Sequence, residues 1–210
     1  MGKNNDPKDL AKLINCLGFF EKSVSSLYED IARRVWLPLI EALILEISQD
    51  SQKHYTILKA LAESLPKTDT NSKDYINTIG ETWCTIEKFR REITETQSLS
   101  EDEIMQLSSQ LIPLENTLAG EYEVFLQPDT LQMLTTELQR IYRIDADVLR
   151  AIFAEIIEDE EHHKRILATT KAVIDWRTLV DWRAAKKTSS GPEVQFKNPD
   201  AWSVPSASNM

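Results

Sequence analysis

The fold of this chain is decided by residues 149–174, which read LRAIFAEIIEDEEHHKRILATTKAVI. Apolar side chains recur here at alternating spacings of four and three residues, the period that buries one face of an α-helix in a bundle. The apolar positions are Leu149, Phe153, Ile156, Leu167 and Ile174. Glu160 and His163 lie on the same stripe, in its middle. The stretch therefore predicts a long helix whose buried face has a polar centre.

Three further segments show the same spacing, and each has a polar residue in its middle. In the first, the apolar positions are Leu10, Ile14, Leu17, Val24, Tyr28, Ile31 and Val35, and Glu21 interrupts them. In the second, they are Ile40, Ile44, Ile47, Leu58, Leu61 and Leu65, and Ser51 and His54 interrupt them. In the third, they are Leu111, Leu118, Tyr122 and Phe125, and Glu115 interrupts them. Four buried stripes predict an all-α fold, an antiparallel four-helix bundle.

Capping residues and prolines predict where the helices begin and end. Asp6 before Pro7 is a favourable N-cap, Ser100 with Glu103 forms a capping box, and Asp145 caps the last helix. The predicted helices cover approximately 7–35, 39–65, 74–96, 100–128, 129–142 and 145–182. We expect one helical bundle over 6–185, with the helix at 74–97 inserted between two helix pairs, and an irregular tail over 186–210.

Composition argues against several classes of protein. Only 5 of 210 residues are glycine and neither GxGxxG nor GxxxxGK[ST] is present, which argues against β-rich folds and nucleotide-binding loops. A net charge of −10 disfavours nucleic acid and anionic membranes as partners. Cys16 and Cys84 form no CxxC pair, so zinc-ribbon and rubredoxin-type sites are not expected. No signal peptide or membrane span is recognisable, and a cytoplasmic location is expected.

The glutamates on the stripes need a compensating positive charge, because a buried unpaired carboxylate is costly. No lysine or arginine lies on any of the four stripes, whereas a metal ion would supply the charge. Glu160 and His163 are three residues apart, so both side chains can reach one ion from one helix face. Glutamates from two helices, with ExxH pairs from two others, form the ligand set of di-iron carboxylate bundles.

The pattern also repeats within the chain. Glu21 precedes Tyr28 by seven residues, just as Glu115 precedes Tyr122. His54 and His163 each precede a leucine by four residues. The stretches 21–54 and 115–163 are therefore predicted to be two related helix pairs.

Together these residues resemble the ferritin-like superfamily, and most closely its rubrerythrin-like members. The resemblance rests on Glu21 with Tyr28, His54, Glu115 with Tyr122, and the run EDEEHHKRIL at 158–167. It implies a metal pair, usually iron and alternatively manganese, that reacts with dioxygen or peroxide. It further implies a homodimer and, since the chain has no CxxC pair, an electron donor that is a separate protein.

The resemblance also assigns roles to the ligands. Glu21 and Glu115 would be terminal ligands, Glu160 would bridge the metals, and His54 and His163 would each bind one metal.

One position departs from the family pattern. Ser51 stands where family members have a second bridging glutamate. Asp50 is adjacent, but it lies about 100° around the helix and substitutes only if the helix bulges. The sequence thus offers five of six ligands, for a di-iron site or for a mono-iron site.

Several alternatives stay open at this stage. Tyr28 and Tyr122 are either core aromatics or hydrogen-bond partners of ligand carboxylates. His162 is either a surface residue or a partner of a ligand, and with Asp159 it forms a second, more charged ExxH-like frame. The alternative function is a non-catalytic ferritin-like bundle that acts as an interaction or assembly module, with a metal-free polar network inside.

Overall fold

The computed structural model describes residues 6–68 and 80–189, with side chains up to residue 180, and all regular structure in these ranges is helical. The helices are α1 (Pro7–Ala32), α2 (Pro38–Glu63), α3 (Glu81–Thr94), α4 (Glu101–Glu123), α5 (Pro128–Tyr142) and α6 (Ala146–Ser189), with a 3-10 turn at Val124–Leu126. The all-α prediction is confirmed for this part of the chain. The predicted helix start at 74 and most of the predicted tail, from 190 onward, lie outside the described residues.

The predicted caps form where the sequence places them. The Asp6 carboxylate accepts a hydrogen bond from the Lys8 amide at 2.8 Å. The Ser100 hydroxyl and the Glu103 carboxylate cap each other's backbone amides at the start of α4. Asp145 Oδ1 accepts from the Val148 amide at 3.0 Å and so caps α6. Each cap satisfies amides that have no partner within the helix.

Several helix ends differ from the prediction, including that of α4, which ends at Glu123 and is followed by the 3-10 turn instead of continuing to 128. Helix α1 ends at Ala32 rather than Val35, because the amides of Arg34 and Val35 bond to carbonyls three residues back and tighten the last turn. Helix α6 continues past the predicted end at Trp182 as far as Ser189. The run AAKK at 184–187 consists of strong helix formers, which accounts for the extension.

The four predicted stripes form the interior. Every stripe residue named above is buried, including Glu21, Ser51, His54, Glu115, Glu160 and His163. The buried apolar side chains of these helices and of α3 and α5 belong to one core. The polar residues therefore occupy the middle of a continuous apolar interior.

Side-chain contacts define the directions of four helices. Ser25 contacts Ser48 and Gly18 packs against Leu58, so α1 and α2 are antiparallel. Tyr28 bonds Glu115 and Tyr122 bonds Glu21, so α1 and α4 are antiparallel.

The contacts His54–Asp159 and Asp50–His163 make α2 and α6 antiparallel. Helices α1 and α6 thus point one way, and α2 and α4 point the other way. Because α2 and α4 are parallel, the connection between them, which includes α3, must return along the length of the helices.

The chain forms two compact units, divided between Ile174 and Asp175. The first unit contains every residue of the candidate site. The second begins with the continuation of α6, where Trp176 and Leu179 are exposed. Among the helices at 6–68 and 80–189, none combines the length and apolar character that crossing a bilayer requires.

Candidate metal centre

Five titratable side chains from four helices meet in the interior. Glu21 comes from α1, His54 from α2, Glu115 from α4, and Glu160 and His163 from α6. All five are fully buried, with no solvent-exposed surface. The structure thus brings together all the residues that the sequence singled out as metal ligands.

The five side chains form two triads that share Glu160. Glu21, His54 and Glu160 form one triad, and Glu115, Glu160 and His163 form the other. In each triad, one ligand atom per residue lies within 4.8 Å of the others. His54 Nδ1 is 3.1 Å from Glu160 Oε1, and His163 Nδ1 is 3.1 Å from Glu115 Oε2. The centroids of the two imidazole rings are 6.1 Å apart.

The outer nitrogen of each imidazole faces an aspartate on the opposite helix. His54 Nε2 lies 3.0 Å from Asp159 Oδ2, and His163 Nε2 lies 3.5 Å from Asp50 Oδ2. Lys53 contacts both aspartates, Asp159 at 2.7 Å and Asp50 at 3.2 Å. An Nε2–H bond to a carboxylate fixes the tautomer whose Nδ1 lone pair is available to a metal.

Two buried tyrosines bind the glutamates crosswise. The Tyr28 hydroxyl of α1 donates to Glu115 of α4, and the Tyr122 hydroxyl of α4 donates to Glu21 of α1. Burial raises the pKa of both tyrosines well above the ordinary value, so both hydroxyls keep their protons. Core packing and carboxylate bonding, the two interpretations left open by the sequence, are both true of these side chains.

The metal-free centre neutralises itself with protons. Burial, followed by the charge of Glu21, raises the pKa of Glu160 to about 8. Burial lowers the pKa of His54, but the charge of Glu21, the hydrogen bond to Asp159 and the nearby carboxylate of Glu160 together outweigh this and raise the value to about 12. Burial likewise lowers the pKa of His163, but the hydrogen bond to Glu115 and the nearby carboxylate of Glu160 together outweigh this and raise the value to about 10.

The pKa of Glu115 shifts in the opposite direction. Burial raises the pKa of Glu115, but the hydrogen bonds from His163 and Tyr28 and the positive charge of His163 together outweigh this and lower the value. These shifts favour the protonated forms of both imidazoles and of Glu160. No lysine or arginine is among the buried residues of the described chain, so these protons replace the positive charge that the sequence analysis found missing.

Unpartnered atoms show that the residues fit a metal. Glu21 Oε2, both carboxylate oxygens of Glu160 and His54 Nδ1 are buried without a hydrogen-bond partner in the described structure. Buried polar atoms normally have partners, so each of these atoms needs an explanation. Carboxylate oxygens and neutral imidazole nitrogens are the ligands that iron, manganese and zinc take in proteins.

The remaining candidates lie around the centre in different ways. Ser51 is buried on the inner face of α2, and its hydroxyl has no partner in the described structure. Asp50, considered above as a replacement ligand, instead faces the outer side of the His163 ring, and its side chain is 23% exposed. His162 is exposed and pairs with Glu46 at 3.1 Å. Of the two frames on α6, Glu160–His163 is therefore the buried one.

Sequence reasoning did not assign roles to Asp159 and Lys53. The signal was present, because an aspartate precedes each histidine by four residues, at 50 and 54 and at 159 and 163. Aspartate and histidine at this spacing lie on one helix face, where each can serve a neighbouring helix.

Comparison of the chain with protein-family models, with curated proteins and with solved structures returned no match. The function must therefore be inferred from the geometry of the chain itself.

Proposed function

We propose that this chain is a ferritin-like di-metal carboxylate protein that binds two iron ions, or alternatively manganese, and reacts with dioxygen or peroxide. The observation that supports this best is the sharing of Glu160 between two ligand triads. A carboxylate with two oxygens and no hydrogen-bond partner for either, between two Glu–His pairs, suits a bridge between two ions.

The arrangement of the helices supports the ferritin-like assignment. Two antiparallel helix pairs, α1–α2 and α4–α6, are joined by one long connection that returns along the bundle. A single long crossover of this kind is the connectivity of ferritin-like bundles. The repeat of Glu, Tyr, Asp and His between the pairs agrees with their relation by an internal two-fold.

The ligand roles follow from the triads. His54 and Glu21 would hold one ion, His163 and Glu115 would hold the other, and Glu160 would bind both. When bound, an iron pair supplies electrons to dioxygen or peroxide by cycling between two oxidation states. Chemistry on an organic substrate is not required by these residues.

The protein's own contribution is to hold the ligands and keep water out. Tyr28 and Tyr122 fix the carboxylates of Glu115 and Glu21, and Asp159 fixes the ring of His54. The stacked rings of Phe125 and Phe153, 4.6 Å apart, belong to the apolar interior on the α4–α6 side. A dry site strengthens the electrostatic hold of the carboxylates on a cation.

The proposal includes two partners. Electrons would come from a separate protein, because the chain's two cysteines, Cys16 and Cys84, are too far apart in sequence to form a CxxC iron site. A second copy of the chain would form a homodimer, as the family resemblance implies.

A specific observation favours the alternative of a non-catalytic bundle. The neighbouring carboxylates raise the pKa of His54 and of His163, so that without metal the protonated imidazoles would balance the charge of the buried glutamates. In that case the bundle would act as an interaction module, and Trp36 and Leu39, which are exposed at the α1–α2 turn, would belong to its contact surface.

Metal content distinguishes the two functions. The chain is purified without chelator, offered Fe(II) without oxygen, desalted and analysed for metal per chain. We expect about two iron ions per chain, and about one in His163→Ala. His162→Ala, an exposed neighbour, is the matched control and should bind as the unmodified chain does. Near-zero metal content in the folded protein, after loading with Fe(II) and in a parallel loading with Mn(II), would exclude the di-metal function and leave the interaction module.

A further inference from the structure

Ser51 is the position at which the two histidine-bearing helices differ. On α2 and on α6, an aspartate and a histidine four residues apart face the opposite helix, as described above. The residue directly after the aspartate is Glu160 on α6 and Ser51 on α2. Ser51 is 1% exposed and shares the inner face of α2 with His54. By this internal correspondence, Ser51 occupies the place of a second bridging carboxylate.

The Ser51 hydroxyl is free to bond something in the interior. Helical serines and threonines in this protein commonly donate to the carbonyl four residues back, as Ser108 does to Ile104 at 2.8 Å and Thr135 to Leu131 at 2.8 Å. Ser51 makes no such bond, and its buried oxygen has no partner within the described residues. A buried hydroxyl without a partner points to a ligand that the protein itself does not provide.

Charge balance indicates what kind of ligand is missing. Two divalent ions bring four positive charges, whereas Glu21, Glu115 and Glu160 bring three negative ones. Asp50 and Asp159 lie outside the imidazoles, are partly exposed and share Lys53, so solvent and the ammonium group screen them. The loaded centre therefore retains one buried positive charge, which a monoanion would neutralise.

The difference between the Glu160 and Ser51 side chains indicates the size of the missing anion. Relative to Glu160, the Ser51 side chain has a hydroxyl in place of the second methylene and lacks the carboxylate, and this missing carboxylate corresponds in size to a formate ion, with acetate one methyl group larger. We infer that the loaded centre takes an external monocarboxylate of formate or acetate size beside Ser51, where it receives a hydrogen bond from the Ser51 hydroxyl. This inference rests on the proposed di-metal function and names the ligand class that the site would accept.

The test uses the full chain loaded with Co(II), because the visible absorption of cobalt responds to its ligands. Metal per chain is measured first, and sodium acetate or formate is then titrated at constant ionic strength with chloride as the inert control. We expect a saturable spectral change with acetate and formate and none with chloride. Ser51→Ala should raise the dissociation constant about 5-fold through the loss of one hydrogen bond. Ser51→Glu should abolish the response, because its own carboxylate fills the place.

The outcomes separate this inference from the function on which it rests. If the chain binds no cobalt, the proposed function fails and the inference fails with it. If two cobalt ions bind and acetate changes nothing, only the carboxylate site is overturned. An unchanged dissociation constant in Ser51→Ala would also overturn it, and that variant decides the question if Ser51→Glu does not fold. Thermal unfolding of each variant establishes that it is folded.

Discussion

The helix pairs α1–α2 and α4–α6 have the same scaffold but different ligand sets. Each pair provides a glutamate with a tyrosine seven residues later, and a histidine with an aspartate four residues earlier. At the remaining position, α2 has Ser51 and α6 has Glu160. The crosswise hydrogen bonds survive this difference, since Tyr28 and Tyr122 both reach their glutamates. The scaffold therefore does not require a fourth carboxylate. Glu160 is the one carboxylate that belongs to both triads.

The largest effect is expected from Glu160→Gln. Loss of the shared ligand should remove both ions, with a fall in metal affinity beyond the roughly 10–100-fold that loss of an outer partner costs. The metal-free variant should melt no lower than the unmodified chain, because burial and the charge of Glu21 already disfavour an ionised group there. Elemental analysis and calorimetry measure the two quantities.

The matched control for Glu160→Gln is Glu161→Gln, whose side chain is 48% exposed on the same helix. This control should retain both ions. If Glu160→Gln also retains two ions per chain, Glu160 is not a bridging ligand.

The next largest effect is the loss of one ion when a single histidine is replaced, which tests the α1–α2 and α4–α6 helix pairs separately. His54→Gln should leave the ion held by the α4–α6 half, and His163→Gln should leave the ion held by the α1–α2 half, since each histidine belongs to one triad. We expect metal content to fall from about two to about one per chain in each variant. Loss of both ions in either variant would mean that the halves bind metal only together.

A smaller effect is the pH dependence of the melting temperature of the metal-free protein. The pKa values of Glu160, His163 and His54, about 8, 10 and 12, lie above their ordinary values, so the folded metal-free protein holds protons that the unfolded chain has released. These groups stabilise the fold most below the unfolded values, and that stabilisation is lost as pH rises through the folded ones. The melting temperature of the metal-free protein should therefore fall from pH 5 to pH 9.

Metal loading should reverse this trend. Metal must displace the protons on the two imidazoles and on Glu160, so the affinity of the site for metal rises with pH. The difference in melting temperature between the metal-loaded and the metal-free protein should therefore increase from pH 5 to pH 9. Titration calorimetry in buffers of different ionisation enthalpy measures proton release at pH 7, for which we expect about three protons per loaded chain. Release of no protons would contradict the charge state assigned to the two histidines.

The smallest effect concerns the outer aspartates. Asp159 is within hydrogen-bond distance of His54, at 3.0 Å, whereas Asp50 is 3.5 Å from His163. Asp159→Asn should therefore weaken metal binding about 10-fold and Asp50→Asn less, as measured by competition with a chelator of known affinity. Glu155→Gln, which alters a third carboxylate near Lys53, is the control and should leave affinity unchanged. Equal losses in both aspartate variants would mean that the two halves depend on their outer partners alike.

The sequence was sufficient for the parts of the structure that periodicity controls. The four-three spacing placed Glu21, His54, Glu115 and Glu160 inside, because a helix with an apolar stripe has only one way to face a core. Cap chemistry located most helix starts for the same local reason. The end of α6 was placed too early because the apolar spacing ends before residues 184–187, although these are strong helix formers and no proline or glycine stops the helix there.

Relations between helices were harder to foresee. The contact of Asp159 with His54 joins residues 105 positions apart, and nothing in a single helix shows which neighbour an outward aspartate will meet. The phase of Asp50 placed it off the buried stripe, but only the packed helices show that it faces the outer edge of His163. Spacing along a helix constrains the positions of ligands more than it constrains the identity of the ion that they bind.

The crosswise tyrosine bonds also bear on how the chain folds. They join residues separated by 87 and 101 positions, so neither forms within a single helix hairpin. Closing such long loops carries an entropic cost, and contacts of this separation slow folding relative to local ones. The hairpins α1–α2 and α4–α6 would therefore form before they dock, and the centre would come into being only at docking. An isolated hairpin would carry only two or three of the five ligands, so each chain would bind metal only after the hairpins have docked.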